Sequence, residues 1–206
     1  SVKLNPIFLL INQKKMRKLI ILLLAVCISI AVKAQTIEVH CPSNLKPYMT
    51  LQHFKSWNKA SVFAFADVPL YRGEVYGEAA LDLNIVRFGD MTLSAHTELN
   101  MLLAKNYDVA ALAGVCLAHP NFSIMAMYRK QFDVDTYQVT ATWTTNNERV
   151  VHFTGYIDVW GQFANAQPQL WIRLYKGLFI GAEVDMWYTF KEQLTATPTI
   201  GVKYDF

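Results

Sequence analysis

Cysteine is scarce in this chain of 206 residues, with three in all; glycine and proline number 9 and 7, and charged side chains make up only 17%. These shortages exclude a disulfide scaffold and a collagen-like or low-complexity chain, and low charge beside 53% apolar residues excludes disorder. An apolar run long enough for a helical membrane span, roughly 20 residues, is also missing. The uncharged stretch Leu19 to Val32 has 14 residues. After residue 34 no Ser/Pro/Gly-rich linker breaks the composition, so one domain is expected over 35–206.

Acidic residues are absent before residue 35, where Lys3, Lys14, Lys15, Arg17, Lys18 and Lys33 all lie. The remainder therefore holds 13 Lys and Arg against 16 Asp and Glu, which reverses the overall net charge of +3. An acidic domain offers no electrostatic footprint for nucleic acid. Met16-Arg17-Lys18, the apolar run and Val32-Lys33-Ala34 read as the basic, apolar and cleavage regions of a secretory signal over 16–34. Residues 1–15, ahead of Met16, read as an upstream extension. Val26 before Cys27 is too bulky for a lipoprotein signal. An oxidising compartment would permit Cys41 and Cys116 to pair, but nothing in their spacing dictates it. No CxxC and no Cys/His spacing suggests zinc, and no cofactor is implied.

Helical periodicity is the next absence. From Gln35 onward nearly every stretch between turn signals alternates with period two. Val75, Gly77, Ala79, Leu81, Leu83 and Ile85 oppose Glu74, Tyr76, Glu78, Asp82 and Asn84. After Phe88-Gly89-Asp90, a hairpin signature, Met91, Leu93, Ala95, Leu99 and Met101 oppose Thr92, Ser94, His96, Glu98 and Asn100. Val139, Ala141 and Trp143 oppose Gln138, Thr140 and Thr142. Val151, Phe153, Ile157, Val159 and Phe163 oppose His152, Thr154, Tyr156, Asp158 and Trp160. Leu178, Ile180, Ala182, Val184 and Met186 oppose Glu183, Asp185 and Trp187; Ile200, Val202, Tyr204 and Phe206 oppose Thr199, Lys203 and Asp205. The Ala/Val-rich stretch 107–119 shows no assignable faces.

Strands are expected near 36–42, 46–55, 60–70, 73–87, 90–103, 107–119, 121–131, 135–145, 149–163, 167–176, 177–190 and 195–206, twelve in all, or ten if the first and one short middle strand are spurious. An even number lets an antiparallel sheet close. Most of the strands match the roughly 9–11 residues of a tilted transmembrane strand rather than the roughly 5–6 of soluble sheets. Alternation alone would also suit a soluble barrel with its apolar face inside. Strand length, apolar faces clean of charge, and the terminus Tyr204-Asp205-Phe206 favour lipid outside. Tyr204 and Phe206 form an aromatic-x-Phe ending similar to the assembly signal of bacterial outer-membrane barrels. The expected fold is all-β: a closed, short-looped antiparallel transmembrane barrel in the bacterial outer membrane. Its partners would be lipid and, during biogenesis, the barrel-assembly machinery.

Parity places Asp67 on one face with Phe63 and Phe65, against Val62, Ala64 and Val68. A carboxylate belongs in the lumen, so both Phe rings should point inward, either as a stacking platform or packed against other lumen side chains. Phe63-Ala64-Phe65-Ala66-Asp67, followed by Tyr76-Gly77-Glu78 on the next strand, resembles the early strands of Tsx-like nucleoside-specific channels and a group of small outer-membrane barrels of unassigned function near them. Ile37-Glu38-Val39-His40 and Lys203-Tyr204-Asp205-Phe206 fit the small-barrel group, whereas Cys41-Pro42 departs from the aromatic-acidic pair that the resemblance leads one to expect. The resemblance implies a twelve-stranded monomer that passes small polar solutes, nucleosides among them, with Phe63, Phe65, Asp67 and Glu78 at the motif.

The polar faces collect the remaining candidate lumen residues: Tyr76, Asp82, Glu98, Arg129, Asp158, Arg173, Glu183 and Asp185. Acidic groups predominate, and carboxylates lining a pore select cations or neutral solutes. Two states stay open: a conducting lumen, and a plugged one in which Arg129, Arg173 and Lys203 neutralise Glu78, Glu98 or Glu183 and the barrel is structural. A rim acyl-chain hydrolase or transferase would need a Ser/His pair facing lipid. Ser94 and His96 share the polar face instead, and no Gly-x-Ser-x-Gly occurs, so catalysis is not expected.

Overall fold

Side chains leave a pleated backbone alternately on opposite faces, and β-branched and aromatic residues suit such a surface, so the alternating stretches become strands. The computed structural model describes residues 35–71, 73–103, 108–132, 134–145, 150–190 and 194–206. The expected signal (16–34) and extension (1–15) lie outside the described residues, as do Arg72, Lys105, Asn106 and Asp133. The strands are β1 (Thr36–Pro42), β2 (Tyr48–Trp57), β3 (Ala60–Pro69), β4 (Val75–Phe88), β5 (Met91–Leu103), β6 (Asp108–His119), β7 (Phe122–Gln131), β8 (Val134–Thr144), β9 (Val151–Trp160), β10 (Phe163–Ala166), β11 (Gln169–Tyr175), β12 (Leu178–Thr189) and β13 (Thr195–Asp205).

Each strand pairs antiparallel with its neighbours, and β1 pairs with β13 from Thr36 opposite Asp205 to Pro42 opposite Thr199, which closes the sheet. β10 and β11 lie end to end between β9 and β12, so thirteen strands fill twelve positions of a closed barrel. Pro168 explains the break: it has no N–H to give the ladder, and only its carbonyl contributes, accepting from Val184 N at 3.1 Å. β1 is a full member of the wall even at Cys41-Pro42, which decides for twelve strand positions over ten.

Two readings of the alternation change. Phe163 does not continue the lipid face of β9. Gly161, at φ 53, and Gln162 form a two-residue turn that sets Phe163 opposite Trp160, on the lumen face. The stretch 107–119 acquires faces through its partners: Ala110, Leu112, Gly114 and Cys116 stand opposite Asn100, Glu98, His96 and Ser94 and line the lumen. Cys41 faces outward and Cys116 is buried inside; both are free thiols on opposite faces of the wall.

Burial is inverted relative to a soluble protein. The buried set includes Glu38, His40, His96, Glu98, Asn100, Arg129, Gln138 and Glu183, while Val39, Val115, Ile124, Val139, Ile157, Ile180 and Val202 are exposed. Outward aromatic rings gather near the two ends of the wall: Trp57, Phe88, Phe122, Phe153 and Tyr204 at the end that holds the termini, and Tyr128, Phe132, Tyr137, Tyr188 and Phe190 at the other. An aliphatic band between two aromatic girdles is what a bilayer selects. The outward ion pair Lys130–Asp135, 2.6 Å, sits at the far rim, where charge meets headgroups. Val139, 49% exposed at the centre of β8, is therefore expected to be intolerant of charge. Val139→Arg should cost about 2–4 kcal/mol, and Leu174→Arg at the rim about 0–1 kcal/mol, in urea unfolding from vesicles. Equal costs at the two depths would contradict a bilayer around this wall.

Candidate functional site

The lumen is the concave polar surface of this barrel, and strand register decides what meets inside it. Beside the terminal end, β1, β2, β11, β12 and β13 bring their inward side chains into one network. His40 Nε2 lies 2.9 Å from Glu38 Oε2, and its Nδ1 lies 3.4 Å from Glu183 Oε1. The ring stacks on Tyr48, centroids 4.7 Å apart, and Tyr48 donates its hydroxyl proton to Glu183 three strand positions away. Gln169 Nε2 donates to the other Glu183 oxygen at 2.8 Å, and Trp171 Nε1 donates to Gln169 Oε1 at 3.1 Å.

Trp171 is 0% exposed, Phe179 2% and His40 1%, the largest side chains buried so completely. The indole fits because the wall beneath it is glycine: a Cβ at Gly181 would lie 2.4 Å from the ring, and one at Gly201 3.1 Å. The Lys203 ammonium rests over both Trp171 and Phe179, at 5.3 and 5.1 Å from their centroids, and the Arg173 guanidinium is 5.4 Å from Phe179. At the rim below, Arg173, Lys176, Phe179 and Asp205 help line a cavity of about 530 Å³.

On the β3–β5 side, His96 sits between Asp82 and Glu98, its ring nitrogens 2.8 and 3.3 Å from their carboxylate oxygens. Ser61 donates to Asp82 at 3.3 Å, and Ser94 to Asn84 at 3.0 Å. Asp67, on the inward face by register, accepts from Thr50 at 2.5 Å. Phe63 and Phe65 share that face, 5.8 Å apart, and Phe65 meets Tyr76 at 5.6 Å. Glu78, opposite Phe65 in the register, lies within Coulomb range of Glu98 and, across the lumen, of Asp158 on β9.

The third sector spans β7 to β12. Arg129 donates to Gln138 at 2.7 Å and to Gln131 at 3.0 and 3.2 Å, and lies over Trp160 at 5.3 Å. Asp158 accepts from Thr140 at 2.5 Å. Asp185 accepts from Asn165 at 2.9 Å and from Trp187 Nε1 at 3.1 Å. Between this sector and the His96 cluster, β6 and β7 present an apolar strip of Ala110, Leu112, Cys116, Met125 and Met127.

All twelve expected lumen residues, from Phe63 to Asp185, thus point inward, but they divide among separate sectors. Among the described residues Arg129 and Lys203 make no direct ion pair with a carboxylate: one is held by glutamines and a ring, the other by two rings. Residues that the sequence reading did not single out as lumen groups include Glu38, His40 and Phe179, among the most completely buried inward side chains, and Tyr48, which stacks on His40. The alternation of Glu38 and His40 with Ile37, Val39 and Cys41 carried that signal. Tyr204 and Phe206 meet edge-on at 4.9 Å at the terminal rim. Among the described residues no group of three or more His, Cys, Asp or Glu is disposed to hold a metal ion.

The family model described as Domain of unknown function (DUF5020) matches residues 42–206. No curated protein matches at the sequence level. Among solved structures, a KdgM porin superposes with TM-score 0.56 at 11% identity, covering 83% of this chain and 98% of that one. A KdgM porin in complex with disordered oligogalacturonate gives TM-score 0.55, again at 11% identity with 83% and 98% covered. The shared feature is the fold, that of a small outer-membrane porin.

Proposed function

We propose a function for a chain that belongs to the DUF5020 family: it is an outer-membrane channel through which small polar solutes diffuse. The observation that supports this most directly is the inversion of burial, with an apolar exterior around an interior of carboxylates, histidines, amides and hydroxyls. Such an interior is costly to build unless water or a polar solute uses it. The chain would reach the membrane through its signal and the assembly machinery reading Tyr204 and Phe206, act as a monomer, and carry out no catalysis.

The solute class follows from charge. Asp67, Asp82, Glu98, Asp158, Glu183 and Asp185 lie on the inward face of their strands, where Arg129, Arg173 and Lys203 are the accompanying cations. That lumen disfavours a polyanion of the oligogalacturonate kind found with the KdgM porin and suits neutral or cationic solutes. Nucleosides are neutral and carry a stackable base, and Phe63, Phe65 and Tyr76 provide inward rings. Uptake of labelled nucleosides and size-matched sugars into proteoliposomes tests this. Faster, saturable nucleoside entry, slowed severalfold in Phe63→Ala and Phe65→Ala, is expected; equal entry of sugar and nucleoside in all three proteins would leave a general pore and remove the stacking role.

A second reading has its own observation. Complete burial of Trp171, Phe179 and His40 is also what a closed, structural barrel would show. No entry above empty vesicles, with the barrel folded, decides for it.

A further inference from the structure

The wall region shared by β9, β10 and β12 ends, away from the termini, in an aromatic cluster that no part of the preceding reading uses. Trp160 and Phe163 are cross-strand partners either side of the Gly161–Gln162 turn, their rings stacked with centroids 5.8 Å apart and 26° between planes. Trp187 meets Trp160 edge-on at 5.9 Å and 84°. Trp187 and Phe163 remain 43% and 44% exposed, although both sit on the lumen face by register, opposite Asn165 and Trp160. Below them on the same strands lie Asp158 and Asp185, the latter hydrogen-bonded to the Trp187 indole.

Exposed ring faces above two carboxylates make a particular chemistry. A ring presents negative density from its face, and a carboxylate adds full charge, so both attract a cation; a neutral ring-shaped solute gains from the first alone. A cation already lies in this cluster: the Arg129 guanidinium sits over Trp160 at 5.3 Å while its N–H groups bond Gln138 and Gln131. Phe163 and Trp187, on β10 and β12, keep much of their surface exposed at that end. We propose that Trp160, Phe163 and Trp187, with Asp158 and Asp185, form a mouth site that captures small organic cations, ammonium or guanidinium compounds, at one entrance of the lumen.

This deepens the channel reading and rests on it for its role, but binding can be measured without transport. Isothermal titration of the folded protein in detergent micelles with choline, and with its uncharged carbon isostere neohexanol, separates charge from shape. Choline is expected to bind saturably and about tenfold tighter than neohexanol. Trp187→Leu and Asp185→Asn should each weaken choline severalfold, while Phe122→Leu, on the outer face at the opposite end, leaves it unchanged; heat-modifiable gel mobility confirms that each variant is folded. Asp185→Asn keeps the side-chain volume, so it serves if Trp187→Leu fails to assemble. Equal affinity for choline and neohexanol would overturn cation recognition, and undiminished choline binding in both mouth variants would overturn the location. Choline binding without solute flux would sink the channel reading and spare the site; flux without choline binding would do the reverse.

Discussion

Trp171→Ala is expected to raise solute flux through the barrel severalfold while lowering its stability by about 3–5 kcal/mol, the range for removing a buried indole. The side chain is wholly buried, lies flat over Gly181 and Gly201, and donates to Gln169, which in turn holds Glu183. Through Glu183 the network continues to His40 and Tyr48, so the indole braces inward side chains from β1 to β12. Its loss removes the floor of that brace and frees Lys203 from one of its two rings. Water can fill the space from the lumen, which places the expected cost toward the lower end of that range. Single-channel conductance in planar bilayers and urea midpoints in vesicles read the two effects separately. Lower stability with unchanged conductance would show that the constriction lies elsewhere, and unchanged stability would show that the indole packs less tightly than its burial implies.

The same residue illustrates what the amino-acid pattern reveals and what it conceals. Strand positions were legible because a barrel in lipid enforces alternation along every strand: Glu78, Glu98 and Glu183 each announce the lumen face of their own strand without reference to any other. Where both faces are apolar the rule goes silent, as over 107–119, since Ala110 and Leu112 inside look like Ala111 and Ala113 outside. Phe163 was misplaced because a two-residue turn restarts the alternation, and the turn glycine, Gly161, was the available cue. The His40–Glu183–Trp171 network was concealed for a different reason. His40, Tyr48, Trp171 and Glu183 lie far apart in sequence and become neighbours only when β1 closes on β13 and fixes the register around the barrel. Alternation states which way a side chain points; register states what it meets, and no local pattern encodes that.

Cation selectivity is the second large effect expected of this lumen. Glu78, Glu98 and Asp158 converge on the same stretch of the interior, and Asp67, Glu38 and Glu183 converge around His40. Arg129, which attracts Asp158, gives its protons to Gln138 and Gln131 and its face to Trp160. Unbalanced charge acts along the passage it lines, because carboxylates on β4, β5 and β9 lie within electrostatic reach of one another. Under a potassium chloride gradient the reversal potential is expected to show potassium favoured severalfold over chloride. The double substitution Glu98→Gln with Asp158→Asn should move that potential most of the way toward zero. It should do so in a folded barrel, since neutralising two neighbouring carboxylates relieves repulsion while keeping their volume and hydrogen-bonding oxygens. Raising the salt to about 1 M, where the Debye length falls to about 3 Å, should weaken the selectivity of the unmodified protein in the same direction. Chloride preference in the unmodified protein, or a reversal potential indifferent to both carboxylates, would mean that permeating ions follow a path these side chains do not line.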